Sequence, residues 1–254
     1  MPVPTIIPTV ARDASGAGVV YHIDGELVPV LTIEINQIPD YFEHHILLWK
    51  DPRVQIAVKS LSGAFKRMFA GMPLFMTEAR GPGRIAFSRD GAGHVFPIHL
   101  SPGQSIEVRE HQFLAATDTV EYSFARVKGF ANMLMSGSGL FIDTFTAGND
   151  GVVWLHGYGN VFEVSLGPGE QIDIEPGAWI YKEGSVKMET QFQGLKTGFL
   201  AGAGQLVWNR FTGPGRVGLQ SMSAPTPAAD NSAGNSGGNV GGGLLGAVIK
   251  AASS

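Results

Sequence analysis

The sequence Gly-Pro-Gly-Arg occurs twice in this chain, and the distance between the two occurrences predicts the architecture. The first begins at Gly81 and the second at Gly213, which are 132 positions apart, or two steps of 66. One step after Gly81, the stretch TAGNDGVVWLH again combines a glycine-rich turn with an apolar run. A fixed period of this kind indicates one structural unit used several times. We therefore predict three copies of one unit, at residues 30–94, 95–160 and 161–222.

Each copy is predicted to consist of short β-strands. The copies open on VLTIEINQIPD, VFPIHLSPGQ and VFEVSLGPGE, in which apolar and polar residues alternate, as they do in strands with one buried face. Two further strands begin at equivalent places, the first at Val54, Val120 and Val186 and the second, 20 residues later, at Leu74, Leu140 and Leu206. A period of 66 is long for a propeller blade. The pattern predicts an all-β protein of three compact β-rolls around a pseudo-three-fold axis.

Proline and glycine mark the predicted turns, and the chain has 15 and 35 of them. Proline fixes its own φ, and glycine tolerates the positive φ that the next turn position requires. The residues predicted to form structural turns are Gly81, Pro82, Gly83, Pro102, Gly103, Pro168, Gly169, Gly213, Pro214 and Gly215.

In each copy, the interval before the strand that begins at Leu74, Leu140 or Leu206 departs from the β pattern. Apolar residues there follow helical spacing and predict a short helical loop with an apolar stripe. The stripe covers its own β-roll or faces outward as an interaction surface. The candidate interaction residues are Leu61, Phe65, Met68, Phe69, Phe130, Met133, Leu134, Phe199 and Leu200.

The two ends of the chain differ from the repeats. Residues 1–29 are predicted to form an N-terminal lead-in and first strand, without the basic start of a signal peptide. Residues 223–254 are rich in Gly, Pro and Ser, end in LLGAVIKAASS, and predict a flexible tail with an apolar end. No apolar run reaches the roughly 18 residues of a spanning helix. We expect a cytoplasmic protein, with peripheral contact to a membrane as the alternative.

No catalytic, cofactor or metal site is predicted. The chain has no cysteine, no His-x-His pair and no Gly-x-Ser-x-Gly or P-loop sequence. His99, Glu107 and His111 form a conceivable metal-binding trio that we do not expect to bind metal. We therefore predict a protein that is not an enzyme and has no cofactor.

Charge gives little support for polyanion binding. The net charge is −4, and no basic run interleaved with aromatic residues occurs, so we expect no nucleic-acid partner. Arg80, Arg84 and Arg89 cluster near the first Gly-Pro-Gly turn and are predicted to form a solvated rim, the alternative being a weak anion or inter-subunit contact.

The third copy carries a family resemblance. The stretches SLGPGEQIDIEPGAWIYKEGSVKMET, GLKTGFLAG and RFTGPGRVGLQ resemble the AIM-type (altered inheritance of mitochondria) mitochondrial biogenesis family, and the resemblance covers residues 24–222. It implies a fold similar to the tryptophan RNA-binding attenuation protein: three tandem short double-stranded β-helix units about a pseudo-three-fold axis. It implies no catalytic residues, and links mitochondrial members to inner-membrane organisation. The first copy departs from the pattern, because NQIPDYFEHH replaces the Pro-Gly-Glu turn.

Two hypotheses of function remain. The first is a non-enzymatic β scaffold or interaction protein that self-associates, or that binds a protein or membrane-surface partner. The second is a small-ligand binding module of the cupin-like β-roll type, with a pocket lined by Trp49, Trp154 or Trp179.

Overall fold

The computed structural model describes residues 2–7, 11–36, 39–59, 76–89, 91–127, 140–192 and 207–222. These residues form antiparallel β-sheets and one short 3-10 helix, His44–Ile46, so the all-β prediction is confirmed. The strands are β1 Thr5–Ile6, β2 Ala11–Gly16, β3 Val19–Asp24, β4 Val30–Ile35, β5 Asp40–Glu43, β6 Leu47–Lys50, β7 Gln55–Val58, β8 Met76–Arg80, β9 Gly83–Phe87, β10 Gly93–Leu100, β11 Ser105–Arg109, β12 Phe113–Thr117, β13 Val120–Val127, β14 Leu140–Ala147, β15 Gly151–Tyr158, β16 Val161–Leu166, β17 Gln171–Ile174, β18 Trp179–Glu183, β19 Lys187–Phe192, β20 Val207–Thr212 and β21 Gly215–Gln220.

The strands from β4 onward fall into three consecutive six-strand sets, β4–β9, β10–β15 and β16–β21. In every set the first and third strands pair with the sixth. The second and fourth strands pair with the fifth. The same pairing therefore occurs three times along the chain. The arrangement of the sets about a three-fold axis stays a prediction.

The strands assemble into four sheets. Their strand orders are β1-β16-β21-β18-β11-β14-β13, β10-β15-β12-β5-β8-β7, β2-β3-β4-β9-β6 and β17-β20-β19. The two largest sheets each combine strands from two consecutive sets. The chain's first strands extend the sheets of other sets, because β1 pairs with β16 and β3 with β4.

Alternation along the strands places apolar side chains in three buried clusters. The first includes Phe87 and Trp154, the second Phe113, and the third Trp179 and Phe211. Each large side chain, when fully buried, contributes roughly 1.5–3 kcal/mol of hydrophobic stabilisation. The interior sites are thus occupied by the chain's own aromatic and aliphatic groups.

The Pro-Gly turns have the geometry that their sequence requires. Gly103 and Gly169 have φ of 81° and 76°, and a Cβ added at either would meet no atom within 4 Å. Backbone conformation, and not lack of space, therefore explains glycine at these two positions.

The one helix of the described part of the chain is far too short to cross a membrane, and none there has the length and apolarity of a spanning segment.

Candidate functional site

The third strand of a set shows how consecutive sets join. In the second set β12 pairs with β5 of the first, and in the third set β18 pairs with β11 of the second. Each of these third strands lies between two neighbours, and Leu114, Ala115, Ile180 and Tyr181 on them are fully buried. Consecutive sets are therefore joined edge to edge, at the junctions β5·β12 and β11·β18.

The two junctions have the same register. Tyr41 lies opposite Ala116 in the first, and Glu107 lies opposite Lys182 in the second, so both partners are shifted by 66 residues. The Lys182 ammonium lies 2.9 Å from Oε1 of Glu107 and donates a 2.8 Å hydrogen bond to the carbonyl oxygen of Val186. Both contacts compensate for the burial of a charged group.

The third strand of the first set, β6, has no second neighbour in the described part of the chain and ends its sheet. Leu48 and Trp49 on this strand are 54% and 44% exposed, whereas their equivalents at the two junctions are fully buried. The guanidinium carbon of Arg84 lies 5.9 Å from the centroid of the Trp49 ring. We call Leu47–Lys50 the β6 edge: an exposed apolar strand whose outer backbone groups can template another strand.

The second strand of the third set, β17, also ends its sheet. Its equivalents, β5 and β11, pair on both sides. On β17 the side chains of Ile172 and Ile174 are buried, while Asp173 is exposed. Two 2.7 Å hydrogen bonds from Arg210 to the Asp173 carboxylate lower the pKa of Asp173. We call Gln171–Ile174 the β17 edge.

A carboxylate holds each Gly-Pro-Gly-Arg turn. Oδ2 of Asp51 accepts a hydrogen bond from the backbone N–H of Arg84 at 2.9 Å. Oε2 of Glu183 accepts one from the backbone N–H of Arg216 at 3.0 Å, and Oε1 accepts one from Nε of Arg216 at 2.6 Å. The carboxylate precedes its arginine by 33 residues in both cases. The turn recurs because arginine and carboxylate together fix the end of the set's third strand to its sixth.

In the second set a hydroxyl replaces the carboxylate. Oγ1 of Thr117 accepts a hydrogen bond from the backbone N–H of Val152 at 3.1 Å. This is the same backbone position, without an arginine, which explains why the second copy has lost the Gly-Pro-Gly-Arg sequence.

A cleft of about 380 Å³ lies between β1, β10 and the third set. Its walls include the apolar side chains of Ile6 and Phe96 and the polar side chains of His99, Glu163 and Arg216. Apolar walls with a few polar groups are typical of small-ligand sites, and the volume lies near the lower end of their range.

The polar side of this cleft continues into the protein. The hydroxyl of Tyr181 donates a hydrogen bond to Oε2 of Glu163, and burial together with this carboxylate raises the pKa of Tyr181. A second cleft of about 230 Å³ is lined by Ser105, Glu183 and Ser185. The Arg216–Glu183 pair thus connects the walls of two surface clefts.

A buried polar cluster lies where the first and second sets meet. Arg89 donates hydrogen bonds to Oε2 of Glu43 at 2.5 Å and to the carbonyl oxygen of Phe113 at 2.8 Å. Burial, together with Arg89 and His94, lowers the pKa of His156 to about 4. Arg89 is 7% exposed, so the prediction that it belongs to a solvated rim is wrong. Its guanidinium is buried because Glu43 supplies a countercharge.

The metal-binding trio considered from the sequence is separated by other contacts. His99 Nε2 lies 3.4 Å from the Tyr21 hydroxyl, Glu107 pairs with the buried lysine of the second junction, and His111 Nε2 lies 3.6 Å from Glu110. Within the described ranges, no group of three His, Asp or Glu side chains is arranged to hold a metal ion.

The remaining candidates are distributed as follows. Trp154 and Trp179 are fully buried in different clusters, and Trp49 lies on the β6 edge. The nine candidate interaction residues lie outside the described residues: Leu61, Phe65, Met68, Phe69, Phe130, Met133, Leu134, Phe199 and Leu200.

Sequence reasoning missed the two edges. A signal was available: Trp49 aligns at the 66-residue period with Ala115 and Tyr181, and Lys50 aligns with Lys182. A comparison of aligned positions would have identified β6 as the outermost third strand, because it belongs to the first set and has no earlier set beside it.

Fold and site together define a class of protein: an all-β body of three six-strand sets that join by strand pairing and leave a strand exposed at each end of the series. The chain belongs to the family described as Mitochondrial biogenesis AIM24, whose model matches residues 21–222. This match confirms the family resemblance noted from the sequence.

A solved structure shares the fold. The crystal structure of protein SPYM3_0169 from Streptococcus pyogenes superposes with a TM-score of 0.65 at 20% sequence identity, covering 81% of this chain and 94% of that chain. A search of curated proteins found no match.

Proposed function

We propose that this protein is a non-enzymatic β scaffold that self-associates through its exposed sheet edges. The observation that carries the proposal is the contrast at the third strand. Leu48 and Trp49 are about half exposed on β6, while the equivalent residues of β12 and β18 are fully buried by a neighbouring strand.

The energetics support this use of the β6 edge. Covering a leucine and a tryptophan stabilises a contact by roughly 1.5–3 kcal/mol for each side chain that becomes fully buried. Natural proteins normally protect edge strands with charges, bulges or covering segments. An edge that carries exposed leucine and tryptophan favours an interaction surface.

The proposal includes the cytoplasmic location expected from the sequence. The family description suggests a role related to mitochondrial biogenesis, and a scaffold is compatible with such a role because it acts by holding partners together. A protein or membrane-surface partner on the same edge is the variant of the proposal that the experiment below separates from self-association.

Light scattering coupled to size exclusion tests the proposal over a range of protein concentrations. We expect the wild-type chain to form a concentration-dependent oligomer and the Leu48→Lys/Trp49→Lys variant to remain at the monomer mass. Leu27→Lys is the matched control, because Leu27 is 76% exposed but lies in a turn away from both edges. A wild-type chain that stays monomeric at every concentration, or a control that dissociates equally, contradicts self-association.

The alternative is a small-ligand binding module that uses the 380 Å³ cleft. Its support is the convergence of His99, Glu163 and Arg216 beside apolar walls. Ligand-observed NMR with a fragment library tests it, with Ile6→Trp as the variant that fills the cleft. Fragments that bind the wild type and are lost in the variant support the alternative, and equal binding to both contradicts it.

A further inference from the structure

We propose that the β17 edge of one copy pairs with the β6 edge of a second copy, antiparallel, with Asp173 opposite Lys50 and Ile174 opposite Trp49. This inference rests on the proposed self-association and adds the surface, the direction and the register.

The β6 edge already has the backbone shape of the strands that accept such a partner. β6, β12 and β18 each pair with the sixth strand of their own set, and each has an irregularity in register at the same place. It lies between Leu47 and Trp49 in β6 and at positions shifted by 66 and 132 residues in the other two strands. The inner side of β6 is therefore built like its two equivalents, and only the outer side lacks a neighbour in the described chain.

The β17 edge has the complementary property. β5, β11 and β17 each pair on one side with the fifth strand of their set. β5 and β11 then pair on the other side with the third strand of the following set, whereas β17 belongs to the last set and ends its sheet. One unused edge of each kind therefore remains, at opposite ends of the series of sets.

The register follows from the two junctions present. Residue pairs 41–116 and 107–182 are related by a shift of 66 on both strands. A further shift of 66 on the second strand leads to Asp173, and the position of the first set equivalent to Lys182 is Lys50. The neighbouring pairs are then Ile172 opposite Asp51 and Ile174 opposite Trp49.

The side chains suit this register. Asp173 opposite Lys50 has the same charge pairing as Glu107 opposite Lys182, whose oxygen and nitrogen lie 2.9 Å apart. Opposite charges directly across a strand pair contribute roughly 0.2–1 kcal/mol. The free Asp173 is already bound to Arg210, so a Lys50 that approaches it joins an existing ion pair and completes a network.

The direction of association has a structural consequence. Because each copy offers one edge of each type, the contact is head-to-tail and generates a closed ring or an open filament. A second copy is favoured over an unrelated strand because the matching edge is present on the same chain, with the register used at both internal junctions.

Disulfide trapping tests the register, since the chain has no cysteine. Lys50→Cys and Asp173→Cys are made on separate chains with different tags, mixed, and oxidised mildly. Residues directly opposite in an antiparallel pair have Cα atoms about 4.5–5.5 Å apart, within reach of a disulfide. We expect a mixed covalent dimer as the main product. Gln171→Cys, two residues from Asp173 on the same face of β17, is the register control and should give at least about tenfold less dimer with Lys50→Cys.

The double variant, with both cysteines on one chain, separates the occupants. We expect covalent multimers; a fast-migrating monomer instead shows that the two edges of one chain meet each other, and overturns the proposal. Equal trapping with the register control also overturns it. An oligomer that depends on Leu48 and Trp49 but gives no Lys50–Asp173 dimer refutes this register and leaves self-association standing. A strictly monomeric wild type refutes both.

Discussion

Glu107 and Lys182 face each other across the β11·β18 junction, with the carboxylate oxygen 2.9 Å from the ammonium nitrogen. Lys182 is 4% exposed, while the side chain of Glu107 is 32% exposed. The pair therefore has one buried and one partly solvated member. Removing the solvated member leaves a buried charge with only the Val186 carbonyl oxygen as acceptor.

We predict that Glu107→Ala lowers the free energy of unfolding by about 1–3 kcal/mol, less than for a fully buried pair because solvent screens the carboxylate. Urea unfolding measures the loss. Glu189→Ala, which removes an exposed carboxylate from β19, is the control and should change stability by less than about 0.5 kcal/mol. An equal loss in both variants contradicts the assignment of Glu107 as the partner of a buried lysine.

The carboxylate that holds the second Gly-Pro-Gly-Arg turn gives another prediction. Glu183→Ala removes the acceptor of both the backbone and the side-chain N–H of Arg216 and should cost about 1–2 kcal/mol. Glu183→Gln keeps one acceptor oxygen and should cost less. The two variants are compared by thermal unfolding, and the account fails if alanine is tolerated as well as glutamine.

Asp40 is the least compensated carboxyl group in the described core. It is fully buried, neither oxygen has a hydrogen-bond partner, and its aligned positions are occupied by Ile106 and Ile172. Burial, with a smaller effect of Asp118, raises the pKa of Asp40 well above its ordinary value of 3.8. The folded state thus retains a proton that the unfolded chain has released.

It follows that stability decreases as pH rises from about 4 toward the raised folded pKa, because folding must take up a proton there. Asp40→Asn removes this requirement and should unfold at higher temperature than the wild type at pH 7. The difference should shrink as pH approaches 4. Asp118→Asn, an exposed carboxylate on the turn after β12, is the comparison. Equal stability of Asp40→Asn and wild type at pH 7 contradicts the prediction.

Local features of this fold were predictable from the sequence because they depend on neighbouring residues. Alternation identified the strands, so β13 begins at Val120 and β14 at Leu140 as predicted. Pro-Gly pairs identified the turns, because a positive φ at Gly103 and Gly169 is a property of the residue itself.

Contacts between distant residues were not predictable in the same way. Alternation shows which face of a strand is apolar but not whether another strand lies beside its edge, so Leu48 and Trp49 resembled core residues. Arg89 was placed on a solvated rim because its countercharge, Glu43, lies 46 residues earlier in the chain. The 66-residue period, applied to pairs and not only to single positions, was the information that sequence reasoning left unused.

The last prediction concerns His156, whose equivalents are Ser88 and Gln220. The backbone N–H groups of the three donate to Gln112, Ile46 and Ala178 carbonyl oxygens respectively, at 2.8, 3.0 and 2.8 Å. Gln220 shows that a glutamine fits this position, where its side chain bonds to the backbone on both sides. His156→Gln is therefore the variant that removes the imidazole with least disturbance, and His45→Gln, on an exposed histidine, is its control.

Because the pKa of folded His156 is about 4, against 6.5 for an ordinary histidine, protonation occurs first in the unfolded chain. Its contribution to stability is complete above about pH 6.5 and is lost as pH falls toward 4, by up to roughly 3 kcal/mol at 1.36 kcal/mol per pKa unit. Urea unfolding between pH 7 and 4.5 should show a steeper loss in the wild type and in His45→Gln than in His156→Gln. This slope opposes that of Asp40 over the same pH range, so the Asp40→Asn background should reveal it most clearly. If His156→Gln and the wild type lose stability in parallel, the imidazole is not held neutral by its burial beside Arg89.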